Sequence, residues 1–390
     1  MTPAARLQAA IEILDEVIAS AEGDGPPADA LVTRYFKARR YAGSKDRRAV
    51  RDLVFRAIRR SGERPATGRA AMIGLAVDDA DLSASFDGSP HGPAPIADEA
   101  GAPASCLPQW VDRELSPLVT AEEWPALLER APLDLRVNVA RAHREAMLES
   151  FEEAQPTRLS PWGIRLPSDT RVDDHPAFAD GLVEVQDEGS QLIALACEPQ
   201  GSQNILDLCA GAGGKALALA AAAPDAQVLA CDTNRARLAK LPPRAQRAMA
   251  KIGMRLLDGG RESQQLADLE GQADVVLVDA PCTGSGTWRR NPEGRWRLTP
   301  GRLSRVAALQ SRLLDIAAPL VKPGGTLVYA VCSIIGREGA GQAEAFLGRH
   351  SSWTVQDALP FGRQDGAGRL LTPGHDGTDG FFVARLQRPC

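Results

Sequence analysis

The sequence predicts an α/β protein in which a parallel-rich sheet carries helices on both faces, joined to a small α+β unit and an all-helical N-terminal domain. Three observations predict it. From residue 179 onward, apolar strand, loop and helix alternate as NILDL, KALALAAAA, QVLACD, ADVVLVD and TLVYAV, the order that joins parallel strands through crossover helices. The first of these strands runs straight into CAGAGGK, residues 209–215, a glycine-rich turn of the kind that opens a helix N-terminus toward a ligand. Residues 1–82 instead read as helices throughout.

Taken in order, the first helix places Leu7, Ile11, Leu14 and Ile18 on one face. It lacks the charged-then-apolar layout of a signal peptide, and no apolar run in the chain reaches the roughly eighteen residues of a membrane span. A cytoplasmic protein is the expectation. A second helix is expected over 28–40 and a third over 46–60, with Ser44 as its N-cap. Residues 83–105 are rich in Gly, Pro, Ala and Ser without periodicity, which predicts a linker. Residues 106–178 mix short helical pieces, the strand-like LRVNVA (135–140) and a proline-rich turn at 160–167, a small α+β unit. The doubly covered sheet occupies 179–390.

A chain of 390 residues with 44% hydrophobic and 24% charged content has room for two or three globular domains. Its seven cysteines include no CxxC pair, which argues against a disulfide framework and against zinc. Most of them are expected to be small core residues. Five scattered histidines add no metal-binding pattern, so no metal is expected. The net charge of −5 is unevenly spread. Residues 34–69 hold thirteen Lys or Arg against Asp46, Asp52 and Glu63, a net of +10, with Tyr35, Phe36 and Tyr41 interleaved. That is the footprint of a polyanion binder, nucleic acid above all, with a solvated helix face as the alternative.

Two groups of residues carry chemistry. The turn Cys209, Ala210, Gly211, Ala212, Gly213, Gly214 and Lys215 lets backbone approach a ligand, and Asp232 ends the next strand twenty-one residues after Gly211, where an acid takes ribose hydroxyls. Gly211, Gly213 and Ala216 satisfy the dinucleotide fingerprint, so this group leaves open a nicotinamide cofactor, S-adenosylmethionine or a purely structural turn. The second group is Asp279 and Cys282 after ADVVLV, and Cys332 after TLVYAV. All three stand past strand ends, where ligands of an open α/β sheet bind. Hydride transfer has no need of two thiols there.

The segments DLCAGAGGK, ACDTNRARL, DAPCTGSGTWRRNPEGRWR, YAVCSI and GTDGFFVARL, with LRVNVARAH and VEVQDEGSQL upstream, together resemble the Sun/Nop family of RNA cytosine-5 methyltransferases over residues 106–390. GSKDRRAVRDLVFRAIRR resembles the helical, NusB-like RNA-binding domain of the bacterial member that methylates small-subunit ribosomal RNA. The resemblance implies a Rossmann-like catalytic domain that uses S-adenosylmethionine. It implies Cys332 as nucleophile, Cys282 as the cysteine that assists product release, and Asp279 as the acid touching cofactor and base. It puts residues 209–215, Asp232, Asp258 and Asp279 on the cofactor. The thiols answer a chemical need: C5 of cytosine is a poor nucleophile until a thiolate adds at C6, and the adduct must then collapse.

The chain departs from the family pattern at Ala212, Ala216 and Val331, where proline, threonine and threonine are usual. The loop GTWRRNPEGRWRL offers Arg289, Arg290, Arg295 and Arg297 with Trp288 and Trp296, a set suited to phosphates and unstacked bases, the alternative being solvated arginines with the two tryptophans as core caps. The expected partner is ribosomal RNA, with transfer RNA as the alternative substrate. A non-catalytic RNA-binding assembly factor and a nicotinamide oxidoreductase are the alternative functions.

Overall fold

The computed structural model describes residues 1–23, 25–356 and 359–390. The chain forms two compact units, Met1–Glu114 with Trp124–Glu129 and Thr287–Pro300, and Leu115–Glu123 with Arg130–Gly286 and Gly301–Cys390.

The first unit is helical: α1 (Pro3–Ala21), α2 (Ala28–Ala38), α3 (Ser44–Arg60) and α4 (Gly68–Ala76). Thr2 caps α1 by accepting from the Ala5 N–H, and Pro3 sits at the first helical position, where its missing N–H costs nothing. The expected face of Leu7, Ile11, Leu14 and Ile18 is buried. Ser44 is not the cap of α3 but its first residue. Gly43 holds the extended cap conformation, and its carbonyl accepts from the Arg47 N–H. The fourth helix packs closely on α1 because Gly68 has no side chain: a Cβ there would stand 2.3 Å from the Ile11 carbonyl oxygen. Residues 86–105 contain no helix or strand; Ala102 donates to the Ala70 carbonyl, and Arg69 holds the carbonyls of Ala94 and Pro95.

The second unit contains two sheets. The smaller is antiparallel in the order β2-β3-β1-β4, from β1 (Leu133–Val137), β2 (Gln155–Pro156), β3 (Gly163–Leu166) and β4 (Val183–Val185). The larger runs β11-β12-β13-β9-β8-β5-β6-β7, with β10 also paired to β13. Its parallel half is β5 (Asn204–Asp207), β6 (Gln227–Asp232), β7 (Ile252–Leu256), β8 (Ala273–Asp279) and β9 (Val321–Val331). Val275–Val278 and Leu327–Val331 are buried on both faces, as continuous apolar strands of a covered parallel sheet must be. The remainder, β10 (Thr354–Val355), β11 (Arg363–Asp365), β12 (Gly368–Leu371) and β13 (Phe381–Gln387), extends the sheet antiparallel from β9. Because β5, β6, β8 and β9 are parallel, their carboxyl ends share one edge.

Candidate active site

The glycine turn is dictated by backbone. Gly211 and Gly213 have φ of +56° and +81°, and a Cβ on Gly213 would meet Leu241 at 2.3 Å. The turn delivers the chain into the helix Gly214–Ala222. At the end of β6, Asp232 accepts from the Gly211 N–H at 2.7 Å and the Asn234 N–H at 2.6 Å, so the acid is aimed at the turn by two backbone donors. Lys215, buried in the first turn of the helix, donates to Asp279 Oδ2 at 2.6 Å. Burial, the largest single influence, disfavours its charge, but the Asp279 carboxylate beside it, with Cys332 and Asp207 nearby, raises it on balance and holds the ammonium.

The carboxyl ends of β8 and β9 bring the two thiols together: Cys282 Sγ and Cys332 Sγ lie 3.3 Å apart. The Cys282 thiol is pushed well above its ordinary range. Its hydrogen bond with Cys332 is the largest cause, burial follows, and the charges of Cys332 and Glu338 add to both. Cys282 therefore holds its proton firmly, and either sulfur of the contact can donate. A seam of hydrogen bonds joins the loops behind the sulfurs. Gly286 donates to the Cys332 carbonyl at 3.1 Å, Ile334 N–H to Ser285 Oγ at 3.0 Å, and Ser285 Oγ lies 2.8 Å from Ser333 Oγ.

A cavity of about 520 Å³ opens at this edge, lined by Cys209, Asp232, Asp279, Cys282 and Cys332 among others. It brings Cys209, Asp232 and Asp279 of the cofactor-type residues together with the thiols. A larger groove of about 1080 Å³ lies at the opposite, amino ends of β5, β6 and β7 and contains neither the thiols nor the glycine turn. Of the sequence-predicted residues, Cys209, Asp232, Asp279, Cys282 and Cys332 line the cavity, whereas Ala210 to Lys215 and Asp258 do not; Asp258 is exposed and pairs with the Gln265 side chain, although its neighbours Leu257 and Gly259 are on the wall.

Several residues of the site carry no sequence expectation. Glu262 and Arg312 form a two-pronged ion pair on the cavity wall. Asp207, the acid that ends β5, is completely buried, and neither of its oxygens has a hydrogen-bond partner among the described residues. Burial first, and then the nearby Asp279 charge, push its carboxyl up to about 7. An acid inside an apolar strand was the available signal. Glu338 is fully buried behind the thiols, and its position in the polar run GREG offered none.

Three expectations are corrected. Cysteines are not mostly core: only Cys197 and Cys231 are buried, and Cys390 is exposed. The arginine- and tryptophan-rich loop is not an open binding surface, since residues 287–300 belong to the helical unit. There Arg295 is buried and donates to the carbonyls of Ile58 at the end of α3 and of Cys106, while Trp296 lies in the helical core with its indole N–H on the Ser61 carbonyl. Arg297 holds the carbonyls of Gly25 and Pro26. The net +10 of residues 34–69 is also largely met by acids from outside the stretch, with Arg34, Arg39, Arg51, Arg56, Arg60, Arg64 and Arg69 each in an ion pair. Among the described residues no group of three or more His, Cys, Asp or Glu is placed to hold a metal, and no helix is long and apolar enough to cross a membrane.

A sequence family described as 16S rRNA methyltransferase RsmB/F matches residues 194–387. The ribosomal RNA small subunit methyltransferase B of Enterobacter sp. (strain 638) is 37% identical over 72% of this chain and 66% of its own length. The protein of the same name from Serratia proteamaculans (strain 568) is 35% identical over the same shares. The chain thus spans just under two thirds of the length of these relatives. Among solved structures, PH0851 has a TM-score of 0.76 at 23% identity, over 100% of this chain and 99% of that one. NSun6 from Pyrococcus horikoshii, solved with SFG, has a TM-score of 0.61 at 18% identity, over 68% and 92%. These two likenesses are of fold. Together with the glycine turn, the Asp-Ala-Pro-Cys loop and the second thiol-bearing strand end, the sequence matches establish that the chain belongs to the RsmB/F branch of the Sun/Nop methyltransferase family.

Proposed function

We propose that the protein methylates C5 of a cytosine in RNA, with small-subunit ribosomal RNA as substrate, the molecule named in the relatives it matches. The observation that carries this is the pair of thiols 3.3 Å apart in a cavity that also holds Asp279 and Asp232. The cofactor is S-adenosylmethionine, which supplies an electrophilic methyl group on a sulfonium. The residues fit it: the Asp232 carboxylate lines the cavity and, oriented by the backbone N–H groups of Gly211 and Asn234, has lone pairs left for ribose hydroxyls. Cys209–Lys215, Asp232 and Asp279 are the cofactor residues in this reading. Asp258 joins them only through its neighbours Leu257 and Gly259 on the cavity wall.

Cys332 acts as the nucleophile. Its thiolate adds to C6, and the electron pair pushed into the ring makes C5 nucleophilic. Asp279, backed by Lys215, meets the charge that develops at N3. After methylation the C5 proton leaves to a base and the C6–S bond breaks. Cys282, which keeps its proton, donates a hydrogen bond to the departing Cys332 thiolate and so assists release. The domain roles are part of the same proposal: residues 1–82 bind RNA, 83–105 link, 106–178 form a second RNA-binding unit, and 179–390 carry the chemistry.

The test is transfer of labelled methyl from S-adenosylmethionine to small-subunit ribosomal RNA and to transfer RNA, with 5-methylcytosine mapped in the product. Label in ribosomal RNA that disappears in Cys332→Ala is the expected result. Label confined to transfer RNA changes the substrate, and no label in either overturns the proposal.

A further inference from the structure

One carboxylate reaches the residue that follows each cysteine. Glu338 Oε1 accepts from the Thr283 N–H at 2.9 Å, next to Cys282, and Glu338 Oε2 accepts from Ser333 Oγ at 2.6 Å, next to Cys332. The Thr283 hydroxyl donates to Oε2 as well, and Gln310 Nε2 donates to Oε1 at 2.9 Å while also holding the Pro281 carbonyl at 3.0 Å. All four partners are uncharged donors, and Glu338 is fully buried. The orientation of the chain of hydroxyls follows from donor counting. Ser333 gives its proton to Glu338 and accepts from the Ile335 N–H at 3.1 Å, which leaves Ser285 to donate to Ser333.

The two cysteines stand fifty residues apart in sequence, on separate loops. A sulfur–sulfur hydrogen bond is among the weakest a side chain makes, whereas hydrogen bonds to a charged group are among the strongest. The contact between the thiols is therefore a consequence of how the loops are held and cannot be what holds them. We propose that Glu338 is the positioning residue of the thiol pair: its carboxylate clamps the Cys282 loop to the Cys332 loop in the one register that puts the sulfurs in contact. Glu338 does not line the cavity and acts through the two cysteines. Its charge also helps keep the proton on Cys282. The inference rests on the roles given above to Cys332 and Cys282, but its first readout does not depend on them.

That readout is phenylarsine oxide, which condenses with two thiols that lie within reach of one arsenic and releases water. The unaltered 390-residue chain should take up one arsenical that is lost in Cys282→Ser and in Cys332→Ser. Glu338→Gln, similar in size but unable to accept from all four donors, should bind the arsenical at least tenfold more weakly while its circular dichroism and S-adenosylmethionine affinity match the parent. In turnover it should lower kcat with KM for RNA unchanged, and a Cys332–RNA adduct should build up because Cys282 no longer meets the leaving thiolate. A merely structural lesion would lose the adduct instead. Should Glu338→Gln fail to fold, Thr283→Val and Ser333→Ala each remove one donor and should shift both readouts the same way. Arsenical capture and turnover equal to the parent in Glu338→Gln, or in both single-donor variants, overturn the proposal. If Cys282→Ala itself accumulates no adduct, the assigned roles of the thiols fail while the arsenical result still decides the clamp.

Discussion

Arg312 grips Glu262 with both guanidinium nitrogens at 2.8 Å, and the pair stands on the wall of the cavity that holds the thiols. Glu262 is almost wholly buried, and the Arg312 hydrogen bonds are the largest cause that brings its carboxyl down to about 2. A carboxyl depressed in the folded protein contributes stability that is present above its unfolded value and fades as pH falls toward the folded one. Arg312→Ala should thus cost about 1–3 kcal/mol at neutral pH, the range for stranding a buried charged acceptor. The gap between variant and parent should narrow as pH falls from about 4.5 toward 2. Denaturant titrations across that range check it; a gap that stays constant with pH would mean the pair is not the source.

Lys37, Arg40, Lys45 and Arg48 are exposed and have no ion pair among the described residues, unlike most of the basic stretch around them. If the helical unit binds RNA, these four carry most of its share. Replacing all four by serine should weaken RNA binding and flatten its salt dependence by up to about 3 in the log–log slope, near 0.7 per lost phosphate contact on single-stranded RNA. Affinity for S-adenosylmethionine should not change. An unaltered salt slope in filter binding would move the RNA surface elsewhere.

Trp296 is a core residue of the helical unit, buried with α1–α4, and its Nε1 donates to Ser61 at 2.8 Å. Trp296→Ala should destabilise that unit by about 3–5 kcal/mol, as for other buried aromatics. Thermal unfolding followed by near-ultraviolet dichroism measures it. A loss under about 1 kcal/mol, with RNA binding abolished, would restore the loop to a role in binding.

The same residue marks how far sequence reading reaches. The strands β5, β6, β8 and β9 announced themselves because covered parallel strands are unbroken apolar runs between a glycine turn and acids. The positions of Cys282, Cys332, Asp232 and Asp279 follow from strand ends alone. What stayed hidden depends on contacts across long sequence separations. Arg295 reaches back 237 residues to Ile58, and Glu338 meets Thr283 across 55. Neither has a local pattern, since a buried arginine in a basic loop reads like an exposed one. The basic stretch misled for the same reason: counting charges within a window omits the acids that fold onto it, such as Glu12 and Glu16 of α1. The cap of α3 missed by one residue, because serine and glycine both suit that place.

Asp232 is tied to the glycine turn through Gly211, so it serves both the turn's shape and the ribose. Asp232→Ala should weaken S-adenosylmethionine binding by about 1–3 kcal/mol. Asp232→Asn keeps one acceptor oxygen and should fall between the two. Calorimetry reads both, with RNA affinity as the control. Parent-like cofactor binding in Asp232→Ala would assign the ribose to another group.

The central claim is that two touching thiols do unequal work, and covalent trapping tests it most directly. Each cysteine is replaced by alanine, the protein is incubated with S-adenosylmethionine and RNA, and the mixture is run on a denaturing gel. Cys282→Ala should lose turnover yet accumulate a protein–RNA band that survives denaturation. Cys332→Ala should lose methylation and show no such band, and neither should the double variant. A band in Cys332→Ala but not in Cys282→Ala would reverse the two roles, and full methylation by both single variants would contradict covalent catalysis by these thiols altogether.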